Sequence, residues 1–125
     1  MAETSLWVAG GLLTARALGV LPMKLDALLA EADYVSLHAP HLPTTHHLID
    51  RKAIAIMKKG AFLINAARGP LVDEAAMARA LKRGKLGGAA LDVLEGEPPD
   101  PKSPIFDAPN ILLTPHMAGS TGECL

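Results

Sequence analysis

Apolar residues fall into two alternating rhythms along this chain. Short unbroken runs at Ala61–Ile64 and Ile111–Leu113 are separated by stretches in which apolar positions recur at helical spacing. Gly60 precedes the first run and Asn65 ends it, which is how a parallel strand covered on both faces reads. Tyr34-Val35-Ser36-Leu37-His38 is a strand by its β-branched and aromatic content. Gly87–Val93 predicts a third strand, whose small residues let helices approach closely. Helical spacing runs from Leu25 to Ala32, through RKAIAIMKKG at 51–60, and from Glu74 to Arg83.

Punctuation supports these boundaries. Asp50 and Asp73 stand where side-chain oxygens cap a first helical turn, and Gly60 and Gly84 stand where helices stop. Ala39–Thr45 is a loop set by two prolines. The segment 95–109 is a loop carrying Pro98, Pro99, Pro101, Pro104 and Pro109. Gly119-Ser120-Thr121 reads as a turn into a helix that barely starts. Near the amino end, Leu6–Ala9 reads as a short strand, Gly10-Gly11 as a turn, and Leu12–Leu18 as a short helix. Strands alternating with helices at this pitch predict parallel βαβ units with right-handed crossovers.

Composition narrows the class. Half of the 125 residues are hydrophobic but only 3% are aromatic, so the core is built from Ala, Leu, Val and Ile. Twelve basic against thirteen acidic side chains leave a net charge of −1, with no basic run to recruit nucleic acid or an anionic membrane. Cys124 is the only cysteine, which excludes an internal disulfide. Val8–Leu21 is interrupted by Arg16 and is too short to span a bilayer. The expectation is a cytoplasmic protein.

Three ionisable residues follow strands: Arg68, Glu97 and His116, with Asp92 near the end of another strand. All carboxyl ends of a parallel sheet face one edge, so these groups either converge there or are unrelated loop residues. Converged, a carboxylate beside a histidine favours the charged ring, and an arginine grips a substrate carboxylate with two donors. That set suits proton-coupled hydride transfer on a 2-hydroxy or 2-oxo acid.

Four stretches carry a family resemblance: EADYVSLHAPHLPTTHHLI, MKKGAFLINAARGPLVDEAAMARAL, GGAALDVLEGEPP and NILLTPHMAGST. From about Ala17 to Glu123 the chain resembles the later part of the NAD-binding domain of D-isomer-specific 2-hydroxyacid dehydrogenases. The fold this implies is α/β, a partial, doubly wound Rossmann domain with a parallel sheet flanked by helices. The resemblance gives Arg68 the substrate's carboxylate and carbonyl, His116 the acid/base role, and Glu97 the task of holding His116 protonated. It gives Asp92 the nicotinamide carboxamide. Pro40 and Thr45 match the loop on the adenosine and phosphate side of NAD. Ala66, Ala67, Ala118 and Gly119 match backbone positions along the cofactor.

The chain departs from the family at its amino end. Gly10-Gly11 does not fit a GxGxxG turn, because Leu12 stands where a second glycine is needed. Residues 1–16 are a segment whose origin the sequence leaves open and 17–125 are expected to be a partial NAD-binding domain, with the substrate domain absent and catalysis impaired. Strand order in such a fragment leaves Tyr34–His38 at an open edge: either Leu6–Ala9 folds back as a replacement strand with Leu12–Leu18 as its helix, or two chains pair or swap elements there, and a homodimer or larger assembly is predicted. A non-catalytic interaction module and a weak nucleotide binder are the alternatives. The histidines 38, 41, 46 and 47 crowd one region, but His46 and His47 diverge in an extended chain, so no metal site is expected. Cys124 has nothing nearby to activate it. Trp7 reads as core or interface. Lys58-Lys59 and Lys82-Arg83 are placed in last helical turns, where they suit the helix dipole.

Overall fold

The computed structural model describes residues 17–124. The expected strand at Leu6–Ala9, the turn at Gly10-Gly11, Trp7 and most of the Leu12–Leu18 helix lie outside the described residues. Within them the order is α1 (Leu25–Glu31), β1 (Tyr34–Leu37), α2 (Arg51–Ile56), β2 (Ala61–Asn65), α3 (Glu74–Lys82), β3 (Leu86–Leu91) and β4 (Ile111–Leu113). The strands form one sheet in the order β1-β2-β3-β4, and every neighbouring pair is parallel.

Two aspartates start the helices as their spacing predicts. Asp50 accepts a hydrogen bond from the Ala53 N–H at 2.8 Å, and Asp73 accepts one from the Ala76 N–H at 3.0 Å. Each satisfies a backbone donor that the first turn leaves without a partner. Gly84, just past the helix that Asp73 starts, has φ 72°, in the left-handed region, as helix-ending glycines do, while Gly60, with φ 85°, turns the chain into β2.

Consecutive strand order with right-handed crossovers sends every connecting helix to the same side of the sheet. α2 packs against both α1 and α3, forming one helical layer. Leu28, Leu29, Val35, Leu37, Ile54, Leu63, Met77, Leu81 and Leu91 are buried between that layer and the sheet. The opposite face carries Tyr34, Phe62 and Leu112, exposed by 64%, 40% and 64%. Tyr34 and Phe62 stack there with ring centroids 5.3 Å apart.

Several expectations are corrected. β2 is not covered on both faces: Leu63 is fully buried, but Phe62 looks out from the open side. The helix after Asp50 ends at Ile56, so Lys58 and Lys59 follow it; Lys58 instead pairs with Asp33 at 3.0 Å. The segment 95–109 is not all loop, because Pro104–Asp107 forms a 3₁₀ turn that seats Ile105 in the core against α3. The closing turn near residue 120 leads into a 3₁₀ turn at Gly122–Cys124. His46 and His47 do not diverge: the chain turns here, His47 takes φ 50°, and the rings stack 4.1 Å apart.

Candidate active site

The carboxyl ends of the four strands deliver the site to one rim. β2 ends at Asn65, whose buried amide bonds the backbone just beyond it. Its Nδ2 donates to the Arg68 carbonyl at 2.9 Å, and its Oδ1 accepts from the Ala67 N–H at 3.1 Å. A polar side chain at the end of a buried strand thereby holds the turn 66–68 in shape. The Arg68 guanidinium is exposed, touches the Ala67 carbonyl at 2.6 Å, and takes part in no ion pair among the described residues.

Gly69 brings that turn against the loop after β3. A Cβ built on Gly69 would lie 1.9 Å from the Leu94 carbonyl oxygen, so only glycine fits this approach of two backbones. A second tie is reciprocal: the Glu74 N–H donates to Glu95 Oε1 at 3.0 Å, and the Glu95 N–H donates to Glu74 Oε1. Burial raises the Glu74 pKa; a hydrogen bond from the Glu95 backbone opposes the rise, and the Glu95 charge adds to it.

Across this junction, His116 meets Glu97. His116 Nδ1 lies 2.6 Å from Glu97 Oε2. An ionised carboxylate only accepts, so Nδ1 carries the proton and Nε2 is the ring's outward-acting nitrogen. Glu97 Oε1 is held in turn by the Leu94 N–H at 3.1 Å. The Glu97 carboxyl is held below its usual range, first by its hydrogen bond with His116 and then by the Leu94 N–H. Arg68, Glu97 and His116 line one open pocket of about 240 Å³, together with Glu95. A neighbouring pocket of about 400 Å³ joins Glu97 and His116 to Asp92, Phe106 and Leu113.

Asp92, just past β3, is nearly buried and accepts three hydrogen bonds. Its Oδ1 receives the Thr114 hydroxyl at 2.6 Å and the Met117 N–H at 2.8 Å, and its Oδ2 receives the Ala118 N–H at 2.8 Å. These bonds, the Thr114 hydroxyl foremost, lower its pKa. Oδ2 keeps acceptor capacity for one more donor. Beside it lies a cleft of about 100 Å³ lined by Asn65, Ala66, Leu91, Asp92 and Thr114. Ala66 and Ala90 put only methyl groups into this cleft, and the acceptor left on Asp92 beside it suits an amide donor such as a nicotinamide carboxamide.

The remaining expected positions do not line the Arg68–His116 pocket. Pro40 and Thr45 sit in the loop after β1, where the Thr45 hydroxyl donates to the Pro40 carbonyl at 2.7 Å and accepts from the Leu42 N–H at 2.8 Å. Ala66, Ala118 and Gly119 are exposed and Ala67 is half-buried. Sequence reasoning missed Asn65, Gly69 and Thr114 as parts of the site. Asn65 had a signal, a polar residue closing an apolar run; the other two act through contacts remote in sequence. His41 and His46 approach within 3.2 Å, but no three His, Cys, Asp or Glu among the described residues are placed to hold a metal.

Comparison with known proteins decides the lineage. Residues 11–118 match the family model described as D-isomer specific 2-hydroxyacid dehydrogenase, NAD binding domain. The chain belongs to this family. It is 50% identical over 99 residues to a glyoxylate reductase of Thermofilum pendens, covering 79% of this chain and 29% of that protein. It is 52% identical over 103 residues to a D-3-phosphoglycerate dehydrogenase of Haemophilus influenzae, covering 79% and 25%. Among solved structures it resembles the D-lactate dehydrogenase of Aquifex aeolicus complexed with NAD and lactic acid. There the TM-score is 0.84 at 34% identity, covering 94% of this chain and 40% of that one. The chain thus spans about a fifth to a third of the length of the curated relatives it matches. The family's NAD-binding fold is the one observed, parallel strands flanked by helices. No helix among the described residues is long and apolar enough to cross a membrane.

Proposed function

We propose that this chain carries the acid/base and carboxylate-binding half of a D-2-hydroxyacid dehydrogenase site, working with NAD on a small 2-oxo or 2-hydroxy acid. The observation that carries the reading is the 2.6 Å contact of His116 Nδ1 with Glu97 in a pocket that Arg68 shares. Arg68 holds the substrate carboxylate and polarises its carbonyl with a planar, permanently charged fork. In the reducing direction the carbonyl carbon gains a hydride while His116 Nε2 gives its proton to the carbonyl oxygen. Glu97 stabilises the ring while it carries both protons, and the reverse reaction returns the proton to Nε2. NAD, when bound, supplies or accepts the hydride. Asp92 Oδ2 would receive its carboxamide, Ala66, Ala67, Ala118 and Gly119 would flank it, and Pro40 and Thr45 would face its adenosine side. The chain lacks a GxGxxG turn for the pyrophosphate, so turnover by these 125 residues alone is expected to be weak. A cytoplasmic location accords with this chemistry.

Calorimetric titration with NAD and NADH, followed by NADH oxidation with glyoxylate and hydroxypyruvate, tests the reading. Turnover that falls by about 10²–10⁴-fold in His116→Ala supports it. Full activity in that variant contradicts it.

A second reading is favoured by the open sheet face: a non-catalytic module that associates with itself. Tyr34 lies on the edge strand of the described sheet, and its ring continues the exposed apolar surface of Phe62. A homodimer formed through this edge and face would satisfy both. Failure to bind cofactor at millimolar concentration, together with a dimer in light scattering, would favour this reading over the first.

A further inference from the structure

We infer that Thr114 positions the His116 imidazole through a clasp formed with the Asp92 carboxylate, although Thr114 itself touches neither reacting atom. The inference rests on His116 being the acid/base group proposed above.

The backbone of His116 is the starting point. Its φ is 53°, in the left-handed region, which few residues with a Cβ adopt. Hydrogen bonds bracket it. Two residues before, the Thr114 hydroxyl donates to Asp92 Oδ1. One and two residues after, the Met117 and Ala118 N–H groups donate to the two oxygens of the same carboxylate. The His116 N–H closes the turn onto the Thr114 carbonyl at 3.1 Å. One side chain therefore gathers the chain on both sides of the histidine, and the ring is left projecting to Glu97.

The clasp is anchored at its base. The Asp92 N–H donates to the Asn65 carbonyl at 3.0 Å, and the Thr114 N–H donates to the Leu91 carbonyl at 3.0 Å. Asp92 and Thr114 thus continue the β2–β3 and β3–β4 ladders, and their side chains meet at a place the sheet fixes. The lowered pKa of Asp92 fits a carboxylate kept ionised by these donors. Its hydroxyl partner has a definite direction: the Thr114 proton goes to Asp92, because the carboxylate can only accept. Valine in its place keeps the shape and removes that donor. Serine keeps the donor.

The test uses the whole chain, labelled with ¹⁵N, and reads two signals at once. The ring nitrogen shifts of His116 report which nitrogen holds the proton of the neutral ring, and amide exchange at Met117 and Ala118 reports the clasp. In the native chain the neutral ring holds its proton on Nδ1. Thr114→Val and Asp92→Asn are expected to move the proton toward Nε2 and to speed both amides by about tenfold, the loss of a charge-assisted hydrogen bond. Thr114→Ser is expected to behave as the native chain does. Native ring shifts and native exchange in Thr114→Val would overturn the proposal, as would Thr114→Ser behaving like Thr114→Val. Glu97→Ala separates the His116–Glu97 pairing from the clasp. It should change the ring but not the two amides. An unchanged ring there would refute the His116–Glu97 pairing, while the amide exchange of the other variants would still decide the clasp.

Discussion

At the scale of single residues, the site depends on small or polar side chains doing backbone work. Gly69 lets the Arg68 turn meet the loop that bears Glu97, with no space for a Cβ against the Leu94 carbonyl. Gly69→Ala should therefore force the two loops apart and destabilise the chain by about 1–3 kcal/mol, measured by urea unfolding. The carboxylates give a pH prediction. Glu97 and Asp92 both have lowered pKa values in the folded chain. Their contributions to stability are therefore complete above the ordinary carboxylate value and fade as pH falls through the lowered one. The turn at His116 should keep its amide protection at pH 5 and lose it only below about pH 4, the unperturbed carboxylate range. Asp92→Asn should flatten that acid limb; an unaltered limb would show that other groups set it. Arg68, Glu97, His116 and Asp92 were legible as residues at strand ends. Asn65 showed only as a polar residue closing an apolar run, its bonds running to the next few residues; Gly69 and Thr114 did not show, because the Leu94 carbonyl and the Asp92 carboxylate they meet are brought near only by the assembled sheet.

At the scale of elements, period and punctuation carried most of the information. The four strands stand where short apolar runs predict them, and both capped helices start one residue after their aspartates. What the pattern misplaced has physical causes. The helix after Asp50 stops at Ile56, short of Gly60, where Met57 takes a non-helical backbone with its side chain buried, a change of conformation that apolar spacing does not mark. The proline-rich segment hides a 3₁₀ turn whose only fully buried anchor is Ile105, a single apolar residue that no periodicity marks. Ile105→Ala should cost about 2–5 kcal/mol, since it empties a site packed against α3. Asp73→Ala should cost about 1 kcal/mol through the lost cap. Equilibrium unfolding of both variants measures the difference, and equal losses would contradict the packing described.

At the scale of the whole molecule, one consequence follows from strand order. Helices that all cross on one side leave the sheet with one face that no helix among the described residues covers. The apolar run at Ala61–Ile64 suggested cover on both sides, because composition alone does not say which face a partner layer reaches. Exposed Phe62 and Leu112 make that face the place where association is expected. Phe62→Glu should leave a compact monomer in light scattering at micromolar concentration if two copies meet there; an unchanged assembly would place the contact elsewhere. The other consequence is convergence. Parallel strands bring Arg68, from the end of β2, into one pocket with Glu97 and His116, which follow β3 and β4. The most direct test of that convergence is an NMR titration with oxamate, an isostere of a 2-oxo acid, in the presence of NADH. The Arg68 Nε and His116 ring signals should move together and saturate at the same oxamate concentration. Movement of only one of them, or of neither while oxamate binds elsewhere, would contradict it.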